Sequence, residues 1–200
     1  MQPAPDVASP LAAVFERQRY AVVEGMISPA EAQDLRAYLE DSDARGNLTT
    51  DTFVPRAPCM YGDQRMEKLL DRLVPKMEFC TGLQLYPTYS YTRIYRKGDQ
   101  LKPHRDRGAC EISLSLNLGQ EPDEPWPLFL AGKDSQFFAA TLRPGDAVIY
   151  RGVELLHWRQ PYAGEKMSQV FLHYVDRNGP NAHRRFDGRT ALGQPMVRAT

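Results

Sequence analysis

The stretch Tyr95–Gly119, YRKGDQLKPHRDRGACEISLSLNLG, decides how this chain is read. His104 and Asp106 lie two positions apart at its centre, just ahead of the alternating run CEISLSLNLG. In an extended chain, side chains at i and i+2 point the same way, so both groups could face one mouth. Working outward, the same period of two governs QLYPTYSYTRIYRKG before it and QFFAATL, DAVIYRG, ELLHW and MSQVFLHYVD after it. These runs are separated by Pro- and Gly-bearing turns such as LRPGD and YAGEK, which is the pattern of closely spaced strands in a sandwich or small barrel.

Upstream of Gly82 the period is helical. In SPAEAQDLRAYLEDSD, Ser28 caps, Pro29 suits the first helical position and Glu31 completes a capping box. Ala32, Leu35, Tyr38 and Leu39 form its apolar stripe. DQRMEKLLDRLVPKMEFCTG is a second helical pattern, which Pro75 should kink or shorten. PLAAVFERQRY behind Ser9 predicts a short helix, and VVEGMI a short strand. The expected fold is therefore mainly β with flanking α-helices packed on one outer face. The expected organisation is a flexible tail over residues 1–9, one domain over 10–176 (a helical part 10–82 and a β core 83–176), and a basic C-terminal extension over 177–200 read as solvated.

The 200 residues suit one domain with a sizeable core. Twenty-five basic residues balance 25 acidic ones, so nothing draws the chain electrostatically toward nucleic acid. Cys59, Cys80 and Cys110 form no C-x-x-C pair and suit reduced thiols. No run approaches the length of a membrane span, and MQPAPDVASP lacks the features of a signal peptide. A cytoplasmic protein with no membrane partner is the expectation.

His157, in GVELLHWRQP, is the third candidate ligand. One carboxylate and two imidazoles that leave the remaining coordination positions open make the facial triad of non-haem Fe(II) oxygenases. A lone His-x-Asp is a weak signal, since such pairs are often solvated turns. The surroundings strengthen it. Tyr95-x-x-Gly98-x-Gln100-x-x-Pro103-His104-x-Asp106, then EISLSLNL, then LRPGDAVIYRG, then His157-x-x-x-Pro161-x-x-Gly164-x-Lys166 arrive in order. Together they resemble the 2-oxoglutarate/Fe(II)-dependent dioxygenase superfamily, in its prolyl-4-hydroxylase-like branch, over about residues 85–176.

The resemblance implies a double-stranded β-helix (jelly-roll, cupin-like) core and an enzyme that uses Fe(II), 2-oxoglutarate and O2. It implies His104, Asp106 and His157 as catalytic metal ligands. It also implies that Lys166, Ser168 and Tyr95 cap the distal carboxylate of 2-oxoglutarate. Lys accepts that role, though without the bidentate fork of Arg. Hydroxylation of a C–H bond in a small molecule or protein side chain, with release of succinate and CO2, is the implied outcome. Because Asp106 is present, halogenation is disfavoured. The competing reading is a non-oxygenase, metal-binding cupin-like sensor or binding module, which needs no such cap.

Several residues have plainer readings. Tyr91, Arg93 and Tyr95 share one strand face and are candidates to touch substrate or co-substrate if that face lines the pocket. Arg159 shares the parity of His157 and is a candidate to meet an anionic substrate. His173 lies on the face opposite to Lys166 and reads as structural. Core or rim packing is the better account of Trp126 and Trp158. GQEPDEPWPLFLAGKDSQ reads as an insertion that could form a lid, and NLTTDTFVPRAPCMYGDQ as a stretch that could line the entrance. Neither the substrate nor the oligomeric state is legible.

Overall fold

A computed structural model describes residues 9–132 and 136–194; the tail expected over residues 1–9 lies outside it except for Ser9. Four helices come early: α1 (Pro10–Gln18), α2 (Pro29–Ala44), α3 (Gln64–Arg72) and α4 (Val74–Thr81). Ten strands are β1 (Tyr20–Val23), β2 (Cys59–Tyr61), β3 (Leu85–Arg96), β4 (Leu101–His104), β5 (Ile112–Glu121), β6 (Leu128–Ala131), β7 (Phe137–Ala140), β8 (Ala147–Arg151), β9 (Leu156–Arg159) and β10 (Lys166–Asp176). The helix starts are where capping chemistry puts them. The Glu31 amide donates to Ser28 Oγ at 3.1 Å and the Ala12 amide to Ser9 Oγ at 3.1 Å. The second helical pattern is broken at Leu73, two residues before Pro75, into α3 and α4.

The strands form two antiparallel sheets. The larger runs β1-β8-β5-β10-β3-β2 and the smaller β4-β9-β6-β7. This is the jelly-roll arrangement expected, with the helices on the outer face of the larger sheet. Two apolar clusters explain why it holds. The first packs Leu35, Leu39, Met66, Leu70 and Met77 of the helices against Ile112, Leu114, Leu116, Ile149, Val170, Leu172 and Tyr174 of the sheet. The second lies between the sheets and includes Tyr95, Leu128, Leu130, Val148, Tyr150, Met167 and Phe171. Each central strand therefore divides its residues between two buried faces. In β5 the leucines face the helices while Ser113, Ser115 and Asn117, all fully buried, face the space between the sheets.

Two segments depart from expectation. The Pro-rich stretch is not simply an insertion: it contains β6, which pairs with both β7 and β9 and buries Leu128 completely. Residues 133–135 of that stretch lie outside the described residues. Over its described residues, 177–194, the C-terminal extension is not a solvated tail either. Arg189 is buried, and its guanidinium donates to both Glu67 carboxylate oxygens, at 2.6 and 3.1 Å, and to the Thr88 carbonyl at 2.9 Å. Arg107 and Tyr61 hold Asp187 at 2.6 and 2.7 Å. Composition could not show this, because a basic residue reads as solvated until its carboxylate partner, 122 positions away, is known. Among the described residues, no helix is long and apolar enough to cross a membrane.

Removing one member of a buried ion pair strands the other charge, at about 3–5 kcal/mol. Glu67→Ala should therefore lower unfolding stability by that amount, and Glu67→Ala/Arg189→Met should recover part of it. Urea denaturation of the two variants checks both.

Candidate active site

β4 and β9 lie side by side with His104 directly opposite His157, and the turn after β4 carries Asp106. The Asp106 amide donates to the Gly152 carbonyl at 2.9 Å, which fixes the turn against the start of the β8–β9 connection. A Cβ at position 152 would sit 2.2 Å from Asp106 Oδ2 and 2.5 Å from the Cys110 carbonyl, so only glycine permits this approach.

The three side chains converge. His104 Nε2 is 3.7 Å and His157 Nε2 is 3.5 Å from Asp106 Oδ1, and the two imidazole centroids are 4.2 Å apart. His104 Nδ1 lies 2.9 Å from the Lys102 carbonyl and His157 Nδ1 lies 3.0 Å from the Leu155 carbonyl. A carbonyl only accepts, so each Nδ1 carries a proton and each Nε2 is turned toward Asp106. Burial, reinforced by His157, lowers the pKa of His104 and so favours the neutral ring. Burial pushes Asp106 up, but His157, His173 and the Ser113 hydroxyl outweigh it and bring the carboxyl down to about 2. Two imidazoles and one carboxylate, with donor atoms within 4.8 Å of one another, are a donor set suited to a divalent transition metal.

A further layer holds the carboxylate. Ser113 Oγ donates to Asp106 Oδ2 at 2.8 Å and stands 3.1 Å from the Cys110 carbonyl and 3.0 Å from His173 Nδ1. Both oxygens are acceptors, so the hydroxyl spends its proton on them and the His173 ring donates. Burial drives His173 down to about 4, leaving a neutral imidazole tilted against the Tyr89 ring at 4.6 Å. His173 thus serves Asp106 through Ser113. Asp106, Cys110 and His173 also cluster within 4.8 Å, but Cys110 is pushed up by burial and meets Tyr89 Oη at 2.9 Å, so it stays a thiol.

The three candidate ligands open onto a cavity of about 480 Å³ between the sheets. Tyr91, Arg93 and Tyr95 of β3 line it, as their shared parity requires. So do Asp51, Thr52 and Phe53 from the irregular stretch before β2. Asp51 accepts from Tyr91 Oη and from the Arg93 guanidinium. That anchor was missed in the sequence, because nothing there links a loop aspartate to a strand 42 positions away. Trp126 packs over Arg159, and Trp158 stacks on Phe129 at 5.4 Å.

The expected carboxylate cap is split. Tyr95 lies in the cavity wall, but Lys166 and Ser168 face the helices: Lys166 Nζ is 2.8 Å and Ser168 Oγ is 3.2 Å from the Glu40 carboxylate of α2. Strand alternation is the cause. Met167, Phe171 and His173 take the interior parity of β10, so Lys166 and Ser168 take the other. Two buried cations stand over the Tyr95 ring instead: Arg93, 5.7 Å from its centroid and paired with Asp51, and Arg159, 5.9 Å away and fully buried two residues beyond His157 on β9.

No family model matches, and no curated protein matches by sequence. Solved structures do match. A Pseudomonas putida prolyl-4-hydroxylase is 18% identical, covers 84% of this chain and 100% of its own, and superposes with a TM-score of 0.66. The non-heme alpha-ketoglutarate-dependent epimerase SnoN of nogalamycin biosynthesis is 16% identical over 98% of this chain and 94% of its own, with a TM-score of 0.72. The chain has the fold of the 2-oxoglutarate/Fe(II) oxygenases. A Trichoplax adhaerens prolyl hydroxylase, solved with a hypoxia inducible factor peptide, is 11% identical over 90% of this chain and 91% of its own, with a TM-score of 0.70.

His173 makes the site acid-sensitive in a defined window. Its folded pKa of about 4 lies below the ordinary 6.5, so the unfolded chain binds the extra proton. Its contribution is fully present above pH 6.5 and is lost as pH falls to 4, at a cost of about 3 kcal/mol. His104 adds to the same window, whereas Asp106 acts only below 3.8. Urea melts at pH 7, 5.5 and 4 should show this loss, with His173→Gln removing most of it.

Proposed function

We propose that this chain is an Fe(II)- and 2-oxoglutarate-dependent oxygenase that hydroxylates a C–H bond of a small molecule or protein side chain. The observation that carries the proposal is the convergence of His104 Nε2, His157 Nε2 and Asp106 Oδ1 at the edge of the cavity between the sheets. His104, Asp106 and His157 would hold the iron. With 2-oxoglutarate and O2, bound iron supplies an oxidant strong enough to break an unactivated C–H bond, with succinate and CO2 as the co-products.

The chain's own residues do the rest. The two backbone-tethered imidazoles keep their donor nitrogens aimed at one point without rearrangement. Ser113 and His173 keep Asp106 ionised and oriented. Two imidazoles and one carboxylate leave room for exogenous ligands, which a closed four-ligand structural site would not. The cavity walls, with Phe53, Tyr61, Tyr89, Tyr91 and Phe171, present aromatic surface that can exclude water and position a substrate carbon. The fold's solved members include prolyl hydroxylases and an epimerase, SnoN, also solved with Fe3+, alpha ketoglutarate and nogalamycin RO. Hydroxylation is the simplest outcome of such an oxidant, and Asp106 occupies the position that a halide ligand would require vacant.

Anaerobic Fe(II) plus 2-oxoglutarate should produce a weak visible charge-transfer band in the wild-type protein. His104→Ala should abolish it and weaken metal binding by more than about 100-fold, beyond the loss typical of removing an outer hydrogen-bond partner. Iron bound with no band on adding 2-oxoglutarate would exclude the oxygenase reading.

A further inference from the structure

Arg159 poses a problem that the fold does not solve by itself. Its side chain is fully buried between the sheets. Nη1 donates to the Trp126 carbonyl and Nη2 to Gln169 Oε1 at 2.9 Å, both neutral acceptors. Nε has no partner. Among the described residues no carboxylate pairs with Arg159, whereas the other buried guanidiniums, Arg93 and Arg189, have Asp51 and Glu67. A buried charge without a counter-ion is expensive, and a chain keeps one where something else supplies the anion.

A second orphan lies beside it. Tyr95 Oη is buried and has no partner. The Tyr95 ring lies in the cavity wall, with the Arg159 guanidinium carbon 5.9 Å from its centroid and 4.7 Å from that of Trp126. An unpaired hydroxyl and an unsatisfied guanidinium N–H therefore lie close together at the Tyr95 wall of the cavity, with Arg159 packed behind that wall, and the candidate metal ligands line another part of it. His157 and Arg159 share one strand face two residues apart, an advance of about 7 Å. That separation suits a five-carbon dicarboxylate reaching from a metal to a cation.

Building on the oxygenase reading above, we infer that Arg159, assisted by Tyr95, receives the distal carboxylate of 2-oxoglutarate, and that Lys166 does not. Gln169 and the Trp126 carbonyl act as positioning groups, tethering the two terminal nitrogens of the guanidinium. Gln169 is itself held by donating Nε2–H to Ser115 Oγ at 2.6 Å. Lys166 already has the Glu40 carboxylate, which also accepts from Arg36 at 2.7 Å, so that cluster ties α2 to the outer face of the sheet.

The test compares two keto acids bound to the anaerobic Fe(II) protein: 2-oxoglutarate, and 2-oxobutyrate, which keeps the chelating end but lacks the distal carboxylate. Affinities come from titrating the charge-transfer band, and folding is checked by circular dichroism. Arg159→Gln should weaken 2-oxoglutarate by ~30-fold or more, the range for breaking a buried charge pair, and leave 2-oxobutyrate unchanged. Arg159→Lys should retain part of the preference. Tyr95→Phe, a milder change that keeps the ring, should weaken only 2-oxoglutarate, by about fivefold, the scale of one hydrogen bond. Lys166→Gln should change neither. The inference is overturned if Lys166→Gln, and neither Arg159→Gln nor Tyr95→Phe, lowers 2-oxoglutarate affinity, or if Arg159→Gln and Tyr95→Phe weaken both keto acids equally. Should Arg159→Gln not fold, an unaltered Tyr95→Phe overturns it. A wild-type protein that binds iron but neither keto acid would instead overturn the oxygenase reading on which this rests.

Discussion

Strand alternation is the constraint on which the molecule depends. Each central strand of the larger sheet is buried on both faces, so every residue along it is committed either to the helices or to the space between the sheets. β5 makes the division plain. Ile112, Leu114, Leu116 and Leu118 join the helix-facing cluster, while Ser113, Ser115 and Asn117 are buried on the other side. A sheet packed only for stability would not bury a row of polar side chains, because each must then find a partner. Here they find them: Ser113 serves Asp106, Ser115 receives Gln169, and Asn117 donates to the Leu142 carbonyl and Gln120. The polar row of one strand is the supporting layer of the candidate site.

The same constraint sets the limit of what could be read from the sequence. Period-two runs, turn signals and the Ser28 and Ser9 caps located most strands and the starts of α1 and α2, because those signals are local. The convergence of His104 and Asp106 was legible from i and i+2 parity, whereas His157 was joined to them by the family resemblance of the motifs around it. Parity within a strand does not reveal which parity faces inward; that is decided by pairing with neighbours. Lys166 shows the consequence. Its spacing from His157 fitted a co-substrate cation, yet β10 pairs with β3 and β5 in a register that sends Met167, Phe171 and His173 inward. The alternation that sets His173 near Asp106 therefore turns Lys166 toward Glu40. The opposition of Lys166 and His173 was visible in the sequence, but without the Ser113 contact there was no reason to give the interior to His173.

Features that depend on distant partners were invisible for a different reason. Arg189 looked like one more base in a basic tail, and Asp51 like a loop acid, until Glu67 and Arg93 were placed beside them. β6 was hidden because prolines and acids surround it, although its four residues alternate between buried and half-buried as a sheet strand should. In each case the deciding energy is long-range desolvation or pairing, which leaves no local periodicity.

These contrasts bear on how charge is distributed in the interior. The cations in and behind the cavity wall differ in their partners. Arg93 and Arg107 have carboxylates from elsewhere in the chain, Asp51 and Asp187, so a ligand approaching them meets a neutralised pair. Arg159 has only neutral acceptors. In a low-dielectric interior an anion is drawn far more strongly to an uncompensated guanidinium than to one already paired. The fold therefore gives a small dianion one strongly preferred end. Its other end is left to the Asp106–His104–His157 cluster, where a single carboxylate would leave a bound divalent metal with net positive charge. The aromatic rim, where Arg93 and Arg107 already have their carboxylates, can select a substrate by shape and stacking.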